Sequence, residues 1–357
     1  MIRRLKKITL QMIAGGNIAS IIIMWLVGYS DRLNPADHPM LSTLGLGFPV
    51  LLIINFAFLI FWLIFKVRGA IIPLVCFVLC YVPVRKYAPL NIPEEAPDSC
   101  LKVMSYNVWL YAGWDAKGGC PILEYIEKEH PDILCLQEAS AHELGQERLD
   151  SVMDKLYAYK DTCVKKDADC IAFYSKYPIL SKERIEYPSK GNLSCAYKIK
   201  YKGDTIIVIN NHLETTGLTP EERADFKEMV KGDMGTDTVK QTSKLLIAKL
   251  GESNKIRAVQ AEAVNAYIEA NAGKSIILCG DFNDGPISYT HRTIVQHLTD
   301  CFVSTGNGPS ISYHKGGFYV RIDNIMCSED WKPYHCYVDD KIKDSDHYPI
   351  ICWLKKR

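Results

Sequence analysis

The sequence predicts an α/β domain preceded by about three transmembrane helices, and three observations carry that expectation. Two long stretches near the N-terminus contain no charged residue, short β-rich runs alternate with helical patterns from residue 101 onward, and net charge divides between these two parts. Of the 357 residues, the first ninety hold nine Lys or Arg against two acidic residues, a net +7, which leaves the remainder at net −6. This split excludes a uniform soluble globule, and 23% charged residues excludes a disordered chain. Thirteen cysteines are too sparse for a small disulfide scaffold.

Taken in order, residues 8–30 and 44–65 are each long enough to cross a bilayer core of roughly 30 Å as a helix. A third uncharged run, 69–84, has only 16 residues and contains Pro73 and Pro83, so it spans if its flanks snorkel or the bilayer thins. Arg3, Arg4, Lys6 and Lys7 precede the first run, and Lys66 and Arg68 lie between the second and third. Basic residues stay on the cytoplasmic side, so three spans predict an inside N-terminus and a C-terminal domain on the outer, periplasmic or extracellular, side. Arg85 and Lys86 weigh against that topology, and two spans would invert it. Residues 88–99, with Pro89, Pro93 and Pro97 among three acidic residues, predict a stiff linker between a membrane region at 1–87 and a domain at 100–357. The sequence carries no internal repeat.

Within 100–357 the strand expectations are 101–107, 133–137, 171–174, 196–201, 205–210, 275–279, 321–327 and 348–354. Helical patterns occupy 121–129, 220–230 and 256–270. Thr219-Pro220-Glu221-Glu222 combines a cap residue, proline at the first helical position and an acid three residues on, a strong start signal. Polar residues gather where the strands end: Asn107, Glu138, His212, Asp281, Asn283, Asp323, Asp346 and His347. Each alone reads as a turn former, a helix cap or a hydrogen-bonded histidine; strand ends are also where α/β proteins assemble sites, and the combination points there.

SYNVW at 105–109, LQE at 136–138, NHLE at 211–214, GDFND at 280–284, RIDNI at 321–325 and SDHYPI at 345–350 occur in order across the domain. In these segments the chain resembles the endonuclease/exonuclease/phosphatase superfamily of deoxyribonuclease-like nucleases, inositol-polyphosphate phosphatases and neutral sphingomyelinases. The resemblance implies a four-layer αββα sandwich with its site at one end of two packed sheets. It implies a divalent-metal-dependent phosphoesterase acting by in-line attack of water. A hard cation, Mg²⁺ with Mn²⁺ as an alternative, suits oxygen ligands, and Glu138, Asn107 and Asp346 are the candidates. No Cys-x-x-Cys or His-x₃-His pair suggests zinc, and Cys76 and Cys80 lie inside the third apolar run.

By the same resemblance Asp281 orients or deprotonates the attacking water, and the Asn283 amide donates to the developing phosphorane oxygen. His212 and His347 donate to the phosphoryl group, with His347 also able to act as acid or base, and Asp323 holds the His347 ring. Tyr174 and Arg257 are candidate substrate contacts, against readings as strand packing and a solvated helix face. Trp109 stands where the family's abasic-site nucleases carry an acid, and those nucleases lack a counterpart of His212. A DNA-repair role is therefore disfavoured.

The acidic domain shows no block of Lys and Arg with interleaved aromatics, and the apolar runs put the chain in a bilayer. Both favour a lipid or small-molecule phosphoester over nucleic acid. A metal-dependent nuclease of the same fold, and a binding protein that has lost the reaction, are the alternatives; a protein partner cannot be inferred. Residues 214–250 read as an insertion, either a lid or a helix pair, and 304–319 as a glycine- and aromatic-bearing rim. Cys135, Cys279, Cys327 and Cys352 read as buried small hydrophobes, and Cys163 with Cys170 is a possible disulfide pair.

Overall fold

The computed structural model describes residues 2–115, 119–165 and 169–357. Four helices come first: α1 (Ile2–Gly28), α2 (Phe48–Phe65), α3 (Ile71–Leu79) and α4 (Tyr81–Tyr87). Two helical segments, Arg4–Arg32 and Leu41–Phe65, are long and apolar enough to cross a membrane. Residues 67–87 form a third if the pair Val67–Leu79 and Tyr81–Tyr87, bent by 72°, counts as one span. Hydrogen bonds between polar side chains tie these helices together where no water competes. Trp62 Nε1 donates to Asn17 Oδ1 at 3.1 Å, and Ser20 Oγ donates to Asn55 Oδ1 at 3.0 Å. The chain returns to where α1 ended. Tyr29 donates to the Leu79 carbonyl at 3.0 Å, and the Phe48 and Tyr87 rings meet edge-on with centroids 5.9 Å apart.

The remainder is built on β1 (Leu101–Asn107), β2 (Ile133–Gln137), β3 (Tyr159–Val164), β4 (Cys170–Ser175), β5 (Ile179–Ile185), β6 (Leu193–Tyr201), β7 (Asp204–His212), β8 (Ser275–Asp281), β9 (Thr299–Asp300), β10 (Asp323–Cys327), β11 (Trp331–Val338) and β12 (Ile350–Lys356). They form two six-stranded sheets, β11-β12-β1-β2-β4-β3 and β5-β6-β7-β8-β10-β9. The helices are α5 (Pro121–Glu129), α6 (Gln146–Leu156), α7 (Pro220–Lys231), α8 (Thr236–Ala270), α9 (Tyr289–Ile294) and α10 (Cys301–Thr305).

Side-chain alternation along the central strands sorts the core into layers. Val103, Ile133, Cys135 and Phe173 of one sheet meet Cys195, Tyr197, Val208, Ile277 and Cys279 of the other, with Phe173 and Tyr197 stacked at 4.3 Å. The intervening residues of the first sheet, Met104, Tyr106, Leu134 and Leu136, pack under α5 and α6. Ile207, Ile209, Ile276 and Leu278 of the second pack under Ala261, Val264 and Ile268 of α8. The result is the helix–sheet–sheet–helix sandwich. Both faces are covered, which explains the unbroken burial of β2 and β8.

The two sheets share a strand pattern: β12 antiparallel to β1, β1 parallel to β2 and β2 antiparallel to β4 in one; β10 to β8, β8 to β7 and β7 to β6 likewise in the other. The repeat is in topology, with no counterpart in sequence. Its consequence is that β1, β2, β7 and β8 end together, at the same edge of the sandwich, where Gln137 Nε2 donates to Asn210 Oδ1 at 2.7 Å across the sheets.

Several sequence expectations need correcting. Strands β3, β5, β9 and β11 and helix α6 carry too mixed a pattern to stand out; β5 is mostly exposed along its middle. The helix expected at 256–270 is the last part of the 35-residue α8, which runs about 52 Å at 1.5 Å per residue. The insertion is thus a helix pair, and α7 starts with the capping box of Thr219 and Glu222. The stretch at 88–99 is extended yet pinned, since Asn91 Nδ2 donates to the Gly306 carbonyl at 2.6 Å. Every cysteine is free. Cys163 pairs across the ladder with Ile171 and not Cys170, so those two thiols are not opposed.

Candidate active site

Four adjoining strand ends deliver the site. Asn107 closes β1, Glu138 follows β2, His212 closes β7 and Asp281 closes β8. Glu138 and Asn283, each just past a strand, have φ of 49° and 50°, a left-handed backbone that turns their side chains back over the sheet edge. Gly280 has φ 141°, and a Cβ there would lie 2.0 Å from the Asn211 carbonyl oxygen, so only glycine lets β7 and β8 close up beneath Asp281.

Asp281 is the hub. Its Oδ1 accepts from the Asn283 backbone N–H at 2.7 Å and its Oδ2 from Asn107 Nδ2 at 3.1 Å. The same Asn107 amide donates to Glu138 Oε1 at 3.2 Å, so it brackets two carboxylates. Its Oδ1 accepts from the Trp109 N–H at 3.1 Å, and Ser345 Oγ donates to its carbonyl at 2.7 Å. Two histidines flank this hub. His347 Nε2 lies 3.6 Å from Asp281 Oδ2, and His212 Nε2 lies 3.8 Å from Asp281 Oδ2 and 3.8 Å from Glu138 Oε1. Behind each ring stands a carboxylate: Asp323 Oδ2 is 2.8 Å from His347 Nδ1, and Asp169 Oδ2 is 2.7 Å from His212 Nδ1. Both rings are thereby fixed with Nε2 toward the hub. His212 Nε2 is buried and has no hydrogen-bond partner among the described residues.

Burial alone would push His212 down, but the charges of Asp169, Asp281 and Glu138 outweigh it and hold the imidazole at about 9. For His347 burial likewise works downward, and Asp323, Asp281 and Asp346 lift it to about 10. Both rings are therefore imidazolium at neutral pH. Burial raises Asp281, while the two histidines oppose that rise. Asp346, lining the same cleft, is also raised by burial.

The structure brings together Asn107, Glu138, His212, Asp281, Asn283, Asp323, Asp346 and His347. It leaves two expected contacts aside. Tyr174 is 2% exposed and packs in the helix-covered layer against Tyr157 at 5.6 Å, outside the cleft. Arg257 lines the cleft wall but is buried and largely engaged by its own chain: Nη1 donates to the Glu214 carbonyl at 2.8 Å, Nη2 donates to Asn254 Oδ1, and Nε lies 3.5 Å from Asp284 Oδ2 with no hydrogen bond among the described residues. Asn283 Nδ2 donates to the Leu213 carbonyl at 2.9 Å, which leaves one of its two amide hydrogens for the cleft.

Asp169 was not foreseen, because it stands in no motif and precedes β4 instead of ending a strand. Arg223 of α7 was also missed; it lines the cleft and donates to the Tyr313 hydroxyl. The rim expectation fits Tyr313 and Phe318, which line the cleft; Tyr313 lies 5.0 Å ring to ring from His347, and Phe318 stacks on Phe226 at 4.1 Å.

Glu138 and Asp346 offer only oxygen, a donor set that fits a hard divalent cation, whereas Asn107, the third expected ligand, turns its Nδ2 to Glu138 and Asp281 and its Oδ1 to the Trp109 N–H. A tighter cluster, Asp281, Asp323 and His347, has potential ligand atoms within 4.8 Å of one another, yet its short contact is the His347–Asp323 hydrogen bond. That group holds a ring in place.

Residues 104–347 match the endonuclease/exonuclease/phosphatase family, and the chain belongs to that family of hydrolases. Residues 10–87 match a separate domain family of unknown function. No curated protein matches the chain. Among solved structures, the catalytic domain of human Nocturnin with bound sulfate is similar over 72% of this chain and 94% of its own, at 17% identity and a TM-score of 0.52. D. rerio TDP2 in complex with a single-strand DNA product is similar over 72% and 100%, at 14% identity and 0.50. At those identities they share the fold.

Proposed function

We propose that this chain is a membrane-anchored, divalent-metal-dependent phosphoesterase in which water attacks a lipid-borne or small-molecule phosphoester in line with the leaving oxygen. The observation that carries the reading is the pair of His–Asp couples whose Nε2 atoms converge on Asp281 beside Glu138. Glu138 and Asp346 would hold the cation, Asn107 bracketing Glu138 with Asp281, and such a metal polarises a phosphoryl oxygen. Asp281, tethered by the Asn283 N–H and the Asn107 amide, accepts a hydrogen bond from the attacking water and so aims its lone pair. The two imidazolium rings donate through Nε2 to non-bridging oxygens, and their charge offsets what builds on phosphorus. A bond forms from the water oxygen to phosphorus, the ester P–O bond breaks, and the proton lost by water balances the one gained by the alcohol.

For topology we propose three crossings, an inside N-terminus and a catalytic domain on the outer side. Lys6, Lys7, Lys66 and Arg68 then share the inner side. The residues that argued against it are neutralised or occupied: Lys86 pairs with Asp31 at 2.6 Å, and Arg85 donates to Asn91 Oδ1 at 2.8 Å. We keep the domain limits at 1–87, 88–99 and 100–357.

Purified full-length protein should release 4-nitrophenol from bis(4-nitrophenyl) phosphate with Mg²⁺ or Mn²⁺, and EDTA should abolish release. Absence of metal-dependent turnover on this ester, on phospholipid vesicles and on oligonucleotides would rule the reading out.

A further inference from the structure

The cleft does not end with the catalytic domain. Its far wall is Ser42, Thr43, Gly45 and Leu46 of the loop joining the first two apolar helices, with Pro49 at the start of α2. This wall is fastened in place. Asn254 Nδ2 of α8 donates to Ser42 Oγ at 2.8 Å, and the buried Arg321 donates from Nη2 to the Lys86 carbonyl at 2.7 Å. At Gly45 a Cβ would lie 1.9 Å from the Ile287 carbonyl oxygen, so loop and domain backbones touch there without room for a side chain. The apolar helices are therefore part of the site's architecture and not a remote tether.

The cleft lining joins charged groups to hydrocarbon. His347, Asp281, Glu138 and Arg223 share it with Leu46, Pro49, Leu218, Leu250 and Ile287, among polar neighbours such as Asn254 and Asp284. A ligand that matches both kinds of group has a phosphoester for the first and a hydrocarbon chain for the second. The source of such a ligand follows from the loop. Met40, Leu41, Leu44 and Leu46 are exposed at 53%, 47%, 40% and 43%, and they lead directly onto the exposed Val50 and Ile53 of α2. The apolar wall of the cleft is thus continuous with the surface that α2 turns to lipid.

We propose that the substrate is a bilayer lipid bearing a phosphoester, drawn sideways from the leaflet. Its phosphorus then lies between His212 and His347, and its chain lies along Leu46, Leu218 and Ile287. This rests on the hydrolase reading above and adds the substrate class and the role of the loop between spans.

The test uses full-length protein in phosphatidylcholine vesicles carrying a minor fraction of phosphatidylglycerol with a diazirine in one acyl chain, irradiated and mapped by mass spectrometry. Turnover of vesicle lipid and of bis(4-nitrophenyl) phosphate is measured in parallel. Adducts are expected within 40–49 and on the Leu218 and Leu250 segments. Leu46→Asp, at a position 43% exposed, should lower both adduct yield and the lipid-to-diester turnover ratio about tenfold. Leu46→Asn should act in the same direction, more weakly. Adducts confined to the outward faces of the helices, or a ratio unchanged in Leu46→Asp while the diester is turned over, would overturn the proposal. Adducts in the cleft with no turnover of either compound would support the lipid groove and sink the hydrolase reading instead.

Discussion

The two His–Asp couples are built crosswise, and they differ in what supports them. His212 comes from β7 of the second sheet and takes its carboxylate from Asp169, at the entry to β4 of the first. His347 precedes β12 of the first sheet and takes its carboxylate from Asp323, the first residue of β10 in the second. Each couple therefore pins one sheet to the other at the edge where the site forms. Asp323 is fully buried within a ladder, and its backbone N–H donates to Ser312 Oγ at 3.0 Å. Asp169 lies just before β4, where its carbonyl accepts from the Lys165 N–H at 2.8 Å and its Oδ1 from the adjoining Cys170 N–H at 2.8 Å. Hydrogen bonds of 2.8 and 2.7 Å thus rest on different supports: a strand ladder holds the backbone of Asp323, whose Oδ1 has no partner among the described residues, and two neighbouring N–H groups hold Asp169.

That asymmetry can be attacked directly. The largest effect is expected from His347→Ala and from Asp281→Asn. Each should cost about 10⁴-fold in kcat/KM on a phosphodiester, with unfolding midpoints showing that the fold survives. Next, Asp323→Asn should cost about 10³-fold, because an amide facing Nδ1 no longer enforces the tautomer or the imidazolium. Asp169→Asn should cost about 10²-fold, and equal losses in the two variants would erase the proposed difference in support.

A pH series sharpens the comparison further. With His212 held at about 9 and His347 at about 10, activity that uses both rings as charged donors should persist through neutrality. It should fall as pH rises through about 9, then again near 10. Both values stand above the ordinary 6.5, so the stabilisation from these couples is complete below about 6.5 and lost as pH rises through the same two values. Asp169→Asn should move only the lower step. The smallest effect is expected at Tyr174→Phe, within about twofold in turnover, since that hydroxyl sits in the helix-covered core away from the cleft.

The motif residues could be read because each is tied to local chain geometry. A strand that ends in Asn, Glu or Asp just before a turn advertises itself, and SDHYPI and GDFND keep their chemistry within a few residues. Asp169 had no such signature, since its partner is 43 residues away and nothing between them marks the meeting. Arg257 shows the opposite limit: the sequence offers an arginine that does line the cleft, and only the structure shows its Nη atoms held by Glu214 and Asn254. Tyr174 alternates correctly along its strand, but the alternation alone does not say which of two buried faces carries the site.

The amino-acid sequence by itself determined the apolar runs, the α/β order and nearly all the polar groups at the strand ends, because charge exclusion and short-range periodicity are properties of neighbouring residues. Only the tertiary structure decided that two carboxylates back two histidines from opposite sheets, and that the loop between the first helices completes the cleft. Those pairings join residues as far apart as Ser42 and Asn254, and contact across such separations is set by how layers pack.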